Sequence, residues 1–355
     1  MKRNPTKPVT LADIAASAGV TSMTVSRVLN QQGNVNVATR DRVLRVASEM
    51  SYRRNGLARG LKRQRTDTIG LVLGDIANPF ASELSRGVRE VLEQRGYTLF
   101  ICISEHSPKE DVEAFDSLAD HRADGIIVAT RASRLGNEKL ESLIESGLPV
   151  SLIGRDFLNP QADLVIADNL KGGYEATKHL IQTGRRRIGF IGVSLTKSIA
   201  LRRFRGYLEA LEEHGLPVAD ELIVGPRGVN DQIPGYSTEE VGYEGMTKLL
   251  SLKERPTAVF ARNDFTAVGA LNAIKQAGLR VPEDIAVVGY DDIPLAAHTS
   301  PPLTTVRQPT REQGRVAAEF LLRRIEAAEH LPRAERVFRC QLVVRESTEV
   351  NSFLS

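Results

Sequence analysis

From Thr68 onward, short runs of β-branched and apolar residues alternate with longer stretches of helical periodicity. This alternation is typical of βαβ units, in which a helix connects neighbouring parallel strands. The apolar runs fall into two series, at 69–76, 97–104, 123–130 and 148–154, and then at 186–193, 221–226, 257–263 and 284–292. The pattern therefore predicts an α/β body of two similar lobes with parallel sheets.

Length and composition narrow the class of protein further. The 355 residues suffice for two or three compact units of roughly 100 to 200 residues each. No apolar run is long enough to span a membrane, and no apolar stretch follows the basic first residues, so we expect a cytoplasmic protein. Cys102 and Cys340 each lie inside an apolar run, which favours reduced core thiols over a disulfide or a metal site. No cofactor is expected.

The charge is distributed unevenly along the chain. Residues 1–65 contain 13 Lys and Arg against three acids, a net charge of +10, whereas the whole chain carries +3. The rest of the chain must therefore carry −7. A basic head on an acidic body is typical of proteins that bind a polyanion. A merely solvated basic tail is the alternative, but such a tail would lack the periodic apolar residues found here.

Residues 11–30 have the layout of a helix-turn-helix, which predicts a small all-α head. Thr10 and Asp13 have the spacing of a capping box at the start of the first helix. Gly19 suits the turn because it tolerates a positive φ, and Thr21 is a good N-cap for the second helix. A third helix, capped by Asn36, would complete the core.

The second helix would enter the major groove of DNA. The candidate base readers on its outward face are Ser22, Met23 and Arg27. Arg27 can fork onto guanine, whereas Met23 offers only apolar contact. The residues expected to contact phosphates or to cap the helix are Thr21, Thr24 and Ser26.

Residues 9–30 and 37–62 resemble the DNA-binding head of the LacI/GalR family of bacterial repressors, and the resemblance continues through nearly the whole chain. It implies a helix-turn-helix domain at 1–54, a hinge helix and linker at 55–66, and an effector-binding and dimerisation domain at 67–355. The DNA contacts expected from the motif and the resemblance together are Thr10, Thr21, Ser22, Met23, Thr24, Ser26, Arg27, Asn34, Tyr52, Asn55, Leu57, Ala58, Leu61 and Lys62.

Residues 55–62 match the hinge helix of this family, which docks in the minor groove at the operator centre. Eight residues are too few for a stable isolated helix, and Gly56 and Gly60 each cost on the order of 1 kcal/mol relative to Ala, so we expect the helix to form only on DNA. By resemblance, Leu61 is the wedge that kinks a central base step together with its dimer mate. An interdomain linker with an incidental leucine is the alternative.

The resemblance also implies a periplasmic-binding-protein-like core whose chain crosses between the lobes near Asp168, His298 and Leu331. The first lobe is then expected at about 67–167 and 298–330. The second lobe is expected at about 168–297 and 331–355, with the apolar run 337–344 as its final strand. Lobes joined by short crossovers favour closure around a ligand.

Ligands of parallel sheets lie beyond the carboxyl ends of the strands. The candidate effector contacts at those ends or matched by resemblance are Asp75, Asn78, Phe80, Arg155, Arg203, Tyr236, Asn263 and Asp291. By resemblance, Arg203, Asn263 and Asp291 face the ligand. Arg, Asn and Asp supply donors and acceptors suited to adjacent sugar hydroxyls, and an aromatic ring such as Phe80 can cover a sugar face.

Some of these assignments have alternatives. Many members of the family that this chain resembles place an acid directly after the fourth strand, where this chain has Gly154, Arg155 and Asp156. Arg155 is therefore a candidate partner for an anionic ligand group, such as the carboxylate of a sugar acid. Tyr236, in an extended stretch at 225–240, would stack over the ligand. Asp264 and Asp292 are either ligand contacts or cap and turn residues.

The predicted function is that of a homodimeric repressor of carbohydrate-metabolism genes, released from a pseudo-palindromic operator by a sugar or sugar acid. A dimer is expected because no leucine heptads follow residue 349. Corepression by a nucleobase is the alternative within the family. An enzyme is disfavoured because the sequence lacks a G-x-S-x-G elbow, a P-loop, an H-E-x-x-H motif and a Cys or His cluster with metal spacing. A solute receptor would need an export signal and no basic head.

Overall fold

A computed structural model describes residues 9–29, 33–52, 65–105, 107–130, 132–155, 159–192, 199–225, 238–327 and 331–349. The chain divides into two compact units, 1–66 and 67–355, which we call the head and the core. Within the described residues, no helix is both long and apolar enough to cross a membrane.

The head contains three helices, α1 (Leu11–Ala18), α2 (Ser22–Leu29) and α3 (Val37–Glu49). The predicted capping box is present, because the Thr10 hydroxyl accepts from the Asp13 amide and the Asp13 carboxylate accepts from the Thr10 amide. Gly19 ends α1 in the left-handed conformation, at φ 63°. Ile14, Val25 and Val43, one from each helix, are fully buried. Burial of such side chains contributes about 1.5–3 kcal/mol each, so the three-helix core rests on few residues.

The core begins with five parallel βα or β segments that form the first lobe. In chain order these are β1 (Thr68–Leu73), α4 (Pro79–Gln94), β2 (Thr98–Ile103), α5 (Pro108–Asp120), β3 (Gly125–Ala129), α6 (Arg134–Glu145), β4 (Val150–Ile153) and β5 (Asp163–Ala167). β1 is buried along its whole length because helices cover both faces of the sheet.

The second lobe follows the same plan. Its elements are α7 (Asn169–Gln182), β6 (Ile188–Ile191), α8 (Ile199–Glu213), β7 (Ile223–Val224), α9 (Thr238–Leu250), β8 (Ala258–Ala261), α10 (Asp264–Gln276) and β9 (Ala286–Val288). The parallel sheet has the strand order β7-β6-β8-β9. Two short 3₁₀ turns lie at Asp220–Leu222 and Pro294–His298.

The last elements are shared between the lobes. They are β10 (Thr305–Arg307), α11 (Thr310–Glu326), β11 (Glu335–Phe338) and β12 (Gln341–Val343). α11 packs on α4 at close range, since a Cβ at Gly87 would lie 1.9 Å from the Arg311 carbonyl oxygen. β11 adds to the first-lobe sheet, which has the order β11-β5-β4-β3-β1-β2, and β12 pairs antiparallel with β10.

Two predicted lobe boundaries are wrong. Leu303 and Val306 pack in the second-lobe core, so the chain leaves that lobe at 308–309 and not near His298. The run 337–344 does not form one strand of the second lobe. It splits at Arg339–Cys340, with β11 pairing parallel to β5 in the first lobe and β12 lying against β10. The three crossovers are therefore residues 168–169, 308–309 and 339–340.

Candidate functional site

The head presents one exposed face on α2. Val25, Val28 and Leu29 are buried against α1 and α3, whereas Ser22, Met23 and Arg27 are exposed, with Met23 65% exposed. The predicted base readers therefore lie together on the outward face of the second helix.

The other predicted DNA contacts of the head divide by role. The Thr21 hydroxyl accepts from the Thr24 amide at 3.2 Å, and the two hydroxyls lie 3.0 Å apart, which is the capping arrangement. The Thr10 hydroxyl is held by Asp13. Asn34 is exposed and Tyr52 is half-buried against the helical core. Outside the described residues lie Asn55, Leu57, Ala58, Leu61 and Lys62 of the hinge, and Tyr236 of the core.

In the core, Arg203 on α8 is the centre of a polar cluster. Its Nε donates to Asn169 Oδ1 at 2.9 Å, its Nη1 to the Arg262 carbonyl at 2.6 Å and its Nη2 to Asp291 Oδ1 at 3.0 Å. The guanidinium also stacks over the Tyr290 ring, 3.6 Å from its centre. Three fixed bonds and a stacked face hold this side chain in a single orientation, although 7% of the residue stays exposed.

Asp291 faces Arg203 from the loop after β9. Its Oδ1 accepts a second hydrogen bond, from Gln308 Nε2 at 2.7 Å. Burial raises the pKa of Asp291, and the opposing effect of Arg203 favours the carboxylate. The backbone here is strained, with φ of 105° at Asp291 and 54° at Asp292. We call Arg203, Asn169, Tyr290, Asp291 and Gln308 the arginine cluster.

A cavity of about 520 Å³ adjoins this cluster and has walls from both lobes. Its lining includes Phe80 and Glu83 of α4, Asp291 and Asp292, the crossover residues Gln308 and Pro309, and Arg311 and Arg315 of α11. Two predicted effector contacts, Phe80 and Asp291, thus meet at one cavity. Arg203 touches that cavity through Asp291 and does not line it.

The remaining predicted residues act mainly in turns and caps. Asp75 Oδ1 accepts from the Ala77 amide at 2.8 Å, and Asn78 caps α4 through the Phe80 amide. Asn263 caps α10, accepting from the Thr266 amide at 2.9 Å. Of the two residues with open alternatives, Asp292 lines the cavity and also pairs with Arg307 and Arg345. Asp264, although next to the cap, has its carboxylate turned inward.

Arg155 does not face the arginine cluster, which corrects the prediction made for it. Its side chain is fully buried in the first lobe, where it donates to Thr130 Oγ1 at 2.8 Å and to Asn137 Oδ1 at 2.9 Å and lies 3.8 Å from Asp111. Burial lowers the pKa of Arg155 to about 10, opposed by Asp111. These contacts give Arg155 a structural role within the first lobe, because an anionic ligand would have to displace Thr130, Asn137 and Asp111.

Asn169, Tyr290 and Gln308 are site residues that sequence reasoning missed. Asn169 follows β5 at the first crossover, so the rule that polar residues collect at strand ends could have found it. Gln308 was not identified because the second crossover was expected near His298. Tyr290 lies at the end of an apolar run, directly before two acids. Nothing in the sequence around it indicates that its ring stacks against an arginine side chain.

The head is a helix-turn-helix whose second helix is exposed, and the core is a two-lobed α/β fold with a polar cluster at its crossovers. Together these features define a class of proteins, the bacterial DNA-binding regulators with a periplasmic-binding-protein-like core. The family model described as bacterial regulatory proteins, lacI family, matches residues 10–55, and the periplasmic binding protein-like domain matches residues 177–348. The chain belongs to the lacI family and is a DNA-binding transcriptional repressor.

Individual relatives agree over most of the chain. It is 37% identical to the transcriptional regulator DegA of Bacillus subtilis, over 86% of this chain and 88% of DegA. It is 34% identical to the repressor PurR of Mannheimia succiniciproducens, over 96% and 98%. Among solved structures, the regulator CelR in complex with cellobiose is 34% identical, with a TM-score of 0.71 over 96% of this chain and 99% of CelR. The Lac repressor dimer bound to operator is 25% identical, with a TM-score of 0.83 over 97% and 100%.

Proposed function

We propose that the protein is a dimeric repressor that a neutral sugar releases from its operator. The observation that supports a sugar ligand is the fixed orientation of the Arg203 side chain. A guanidinium has five N–H donors, and three of those of Arg203 are taken by described residues. One N–H group remains on each of Nη1 and Nη2, and the Asp291 carboxylate beside Nη2 lines the cavity. A donor pair next to an acceptor suits adjacent hydroxyls, which both donate and accept.

A neutral sugar is favoured over a sugar acid. The expectation of a sugar-acid ligand depended on Arg155 as the partner of its carboxylate. This arginine is buried among Thr130, Asn137 and Asp111. The CelR structure, a relative of this chain, holds cellobiose.

A nucleobase corepressor is the second candidate, because PurR is among the relatives. A planar base is commonly held against aromatic faces. Among the described residues that line the cavity, Phe80 is the one aromatic side chain, which favours a sugar over a base.

The edge strand β2 is the proposed dimer surface. Phe100 and Ile101 on this strand are 45% and 42% exposed, at the open edge of the six-stranded sheet. An open edge with large apolar residues is a surface that another chain covers. A two-fold dimer would present two heads to a pseudo-palindromic operator in the cytoplasm, with Leu61 of each hinge at its centre.

A thermal-shift panel tests the ligand. Cellobiose, ribose, gluconate, hypoxanthine and guanine are added singly to the full-length protein. A specific binder at about 100 times its Kd stabilises the fold by about 2.7 kcal/mol, a shift of several degrees. We expect a neutral sugar to give this shift and to weaken binding to an operator selected from random DNA. A shift with a purine, accompanied by tighter operator binding, would establish corepression instead.

A further inference from the structure

Asp264 makes contacts that a helix cap does not explain. It is 1% exposed at the start of α10, directly after the true cap, Asn263. Its carboxylate points away from its own helix and toward the loop after β9, the loop that carries Asp291. Gly289 leaves the room for it, since a Cβ there would lie 2.3 Å from Asp264 Oδ1.

Two hydrogen bonds join Asp264 directly to the two sides of the strained pair Asp291–Asp292, and a third links it to Asp292 through Thr305. On the near side, the Asp264 amide donates to the Tyr290 carbonyl at 2.8 Å. On the far side, Asp264 Oδ2 accepts from the Ile293 amide at 2.8 Å. Between them, the Asp292 amide donates to Thr305 Oγ1 at 3.3 Å, and that hydroxyl donates to Asp264 Oδ1 at 2.5 Å.

The hydrogen bonds on both sides of Asp291–Asp292 hold a strained backbone conformation in place. Two consecutive non-glycine residues with positive φ are strained, and they persist only where the surrounding structure holds them. The residues before and after the pair are both bonded to one side chain and its amide, so relaxation of the turn would break several buried hydrogen bonds at once.

We infer that Asp264 is a positioning residue, a clamp that holds the strained Asp291–Asp292 turn so that the Asp291 carboxylate meets Arg203. That Asp291 serves ligand binding rests on the proposed function. The clamp itself is a property of the ligand-free protein, and it can be tested without a ligand.

The test measures amide hydrogen exchange at single-residue resolution in the full-length protein. The key amide is that of Asp291, which donates to the Val306 carbonyl and makes no bond to Asp264. In Asp264→Ala we expect this amide to exchange about tenfold faster, because loss of buried partners loosens the turn locally. Amides of β8 should keep their wild-type rates.

Three further variants separate a clamp from a general loss of stability. Asp264→Asn should stay within about threefold of the wild type, since an amide can still accept from Ile293 and can donate to Thr305. Thr266→Val is the matched control on the same helix, because the buried Thr266 hydroxyl makes no hydrogen bond among the described residues. If Asp264→Ala does not fold, Thr305→Val tests the link, with faster exchange expected at Asp291 and Asp292.

Two results would overturn the clamp. One is faster exchange at Ile293 and Asp292 alone, with Asp291 unchanged. That result would mean that the substitution removes single hydrogen bonds without loosening the turn. The other is equal acceleration throughout β8 and the turn, which is a stabiliser of the whole lobe. Because the exchange is measured without sugar or DNA, a thermal-shift panel in which no sugar binds would not change what these rates say about the clamp.

Discussion

Arg27 and Met23 are both exposed on α2, but they offer DNA different chemistry. The guanidinium of Arg27 can donate two parallel hydrogen bonds to guanine, which no other base accepts in that geometry. Replacing Arg27 with Ala should therefore relax base preference at one position of each half-site and weaken specific binding by about 1–3 kcal/mol. Selection from a randomised operator, followed by binding titrations, measures both effects.

Arg27→Lys is the matched control for this prediction. Lysine keeps the positive charge but loses the planar fork. We expect it to retain nonspecific DNA affinity and to lose much of the guanine preference. If Arg27→Ala and the wild type select the same bases, Arg27 contacts the backbone and reads no base.

Asp264 also predicts a pH dependence of stability. Burial, reinforced by the charge of Asp291, raises the pKa of its carboxyl to about 8, whereas an unfolded chain has an ordinary Asp pKa near 3.9. Between these values the folded protein binds a proton that the unfolded chain has released, so a rise in pH destabilises the fold by up to about 1.4 kcal/mol per unit. Above about pH 8 both states are deprotonated, and this loss stops.

Urea unfolding of the wild type and of Asp264→Asn at pH 6, 7, 8 and 9 checks this sign. An Asn at this position cannot ionise. The unfolding free energy of the wild type should therefore fall relative to that of Asp264→Asn from pH 6 to pH 8, and the difference should stay constant from pH 8 to pH 9. Thr266→Val should follow the wild type. Parallel wild-type and Asn profiles would show that Asp264 is already ionised at neutral pH.

At the scale of elements, local patterns predicted what local physics determines. The capping box at Thr10, the left-handed Gly19 and the βα alternation depend on neighbours a few residues away, and all three are present. The division of 337–344 into β11 and β12 depends on which sheet edge is free, and that edge is formed by β5, about 170 residues earlier. Arg155 shows the same limit, since its partner Asp111 lies 44 residues upstream.

The edge strand β2 gives a prediction at this scale. Phe100→Arg places a charge on an apolar strand edge, and an isologous interface would meet the same charge twice. We expect the dimer to dissociate at concentrations where the wild type is dimeric, with the monomer still folded because the side chain is already 45% exposed. Sedimentation velocity measures the dimer, and circular dichroism the fold.

Val337→Arg is the control for the edge strand. Val337 is 50% exposed on β11, the opposite edge of the same sheet. A charge there should leave the dimer intact. If Val337→Arg dissociates the protein and Phe100→Arg does not, the subunits meet through the β11 edge.

At the scale of the whole core, the arginine cluster reaches every connection between the lobes. Arg203 is bonded to Asn169 at the first crossover, and Asp291 to Gln308 at the second. At the third, the Tyr290 hydroxyl donates to Cys340 Sγ at 3.2 Å. A ligand that changes the bonding of Arg203 or Asp291 would therefore act on all three crossovers, and coupling between sites needs such a difference between states.

Gln308 is the place to test that coupling, because it belongs to the second crossover and its side chain is bonded to Asp291 by one hydrogen bond. With the sugar at saturation, so that any weaker binding to the cavity that Gln308 lines does not enter, Gln308→Ala should reduce the effect of the sugar on operator affinity by about 0.5–2 kcal/mol. Operator titrations with and without the sugar found in the thermal-shift panel measure this ratio. Gln276→Ala, on the surface of α10 and bonded to Tyr243, is the control. A ratio equal to that of Gln276→Ala would place the signal path through Asn169 or Cys340, and parallel loss of sugar binding would make Gln308 part of the binding site itself.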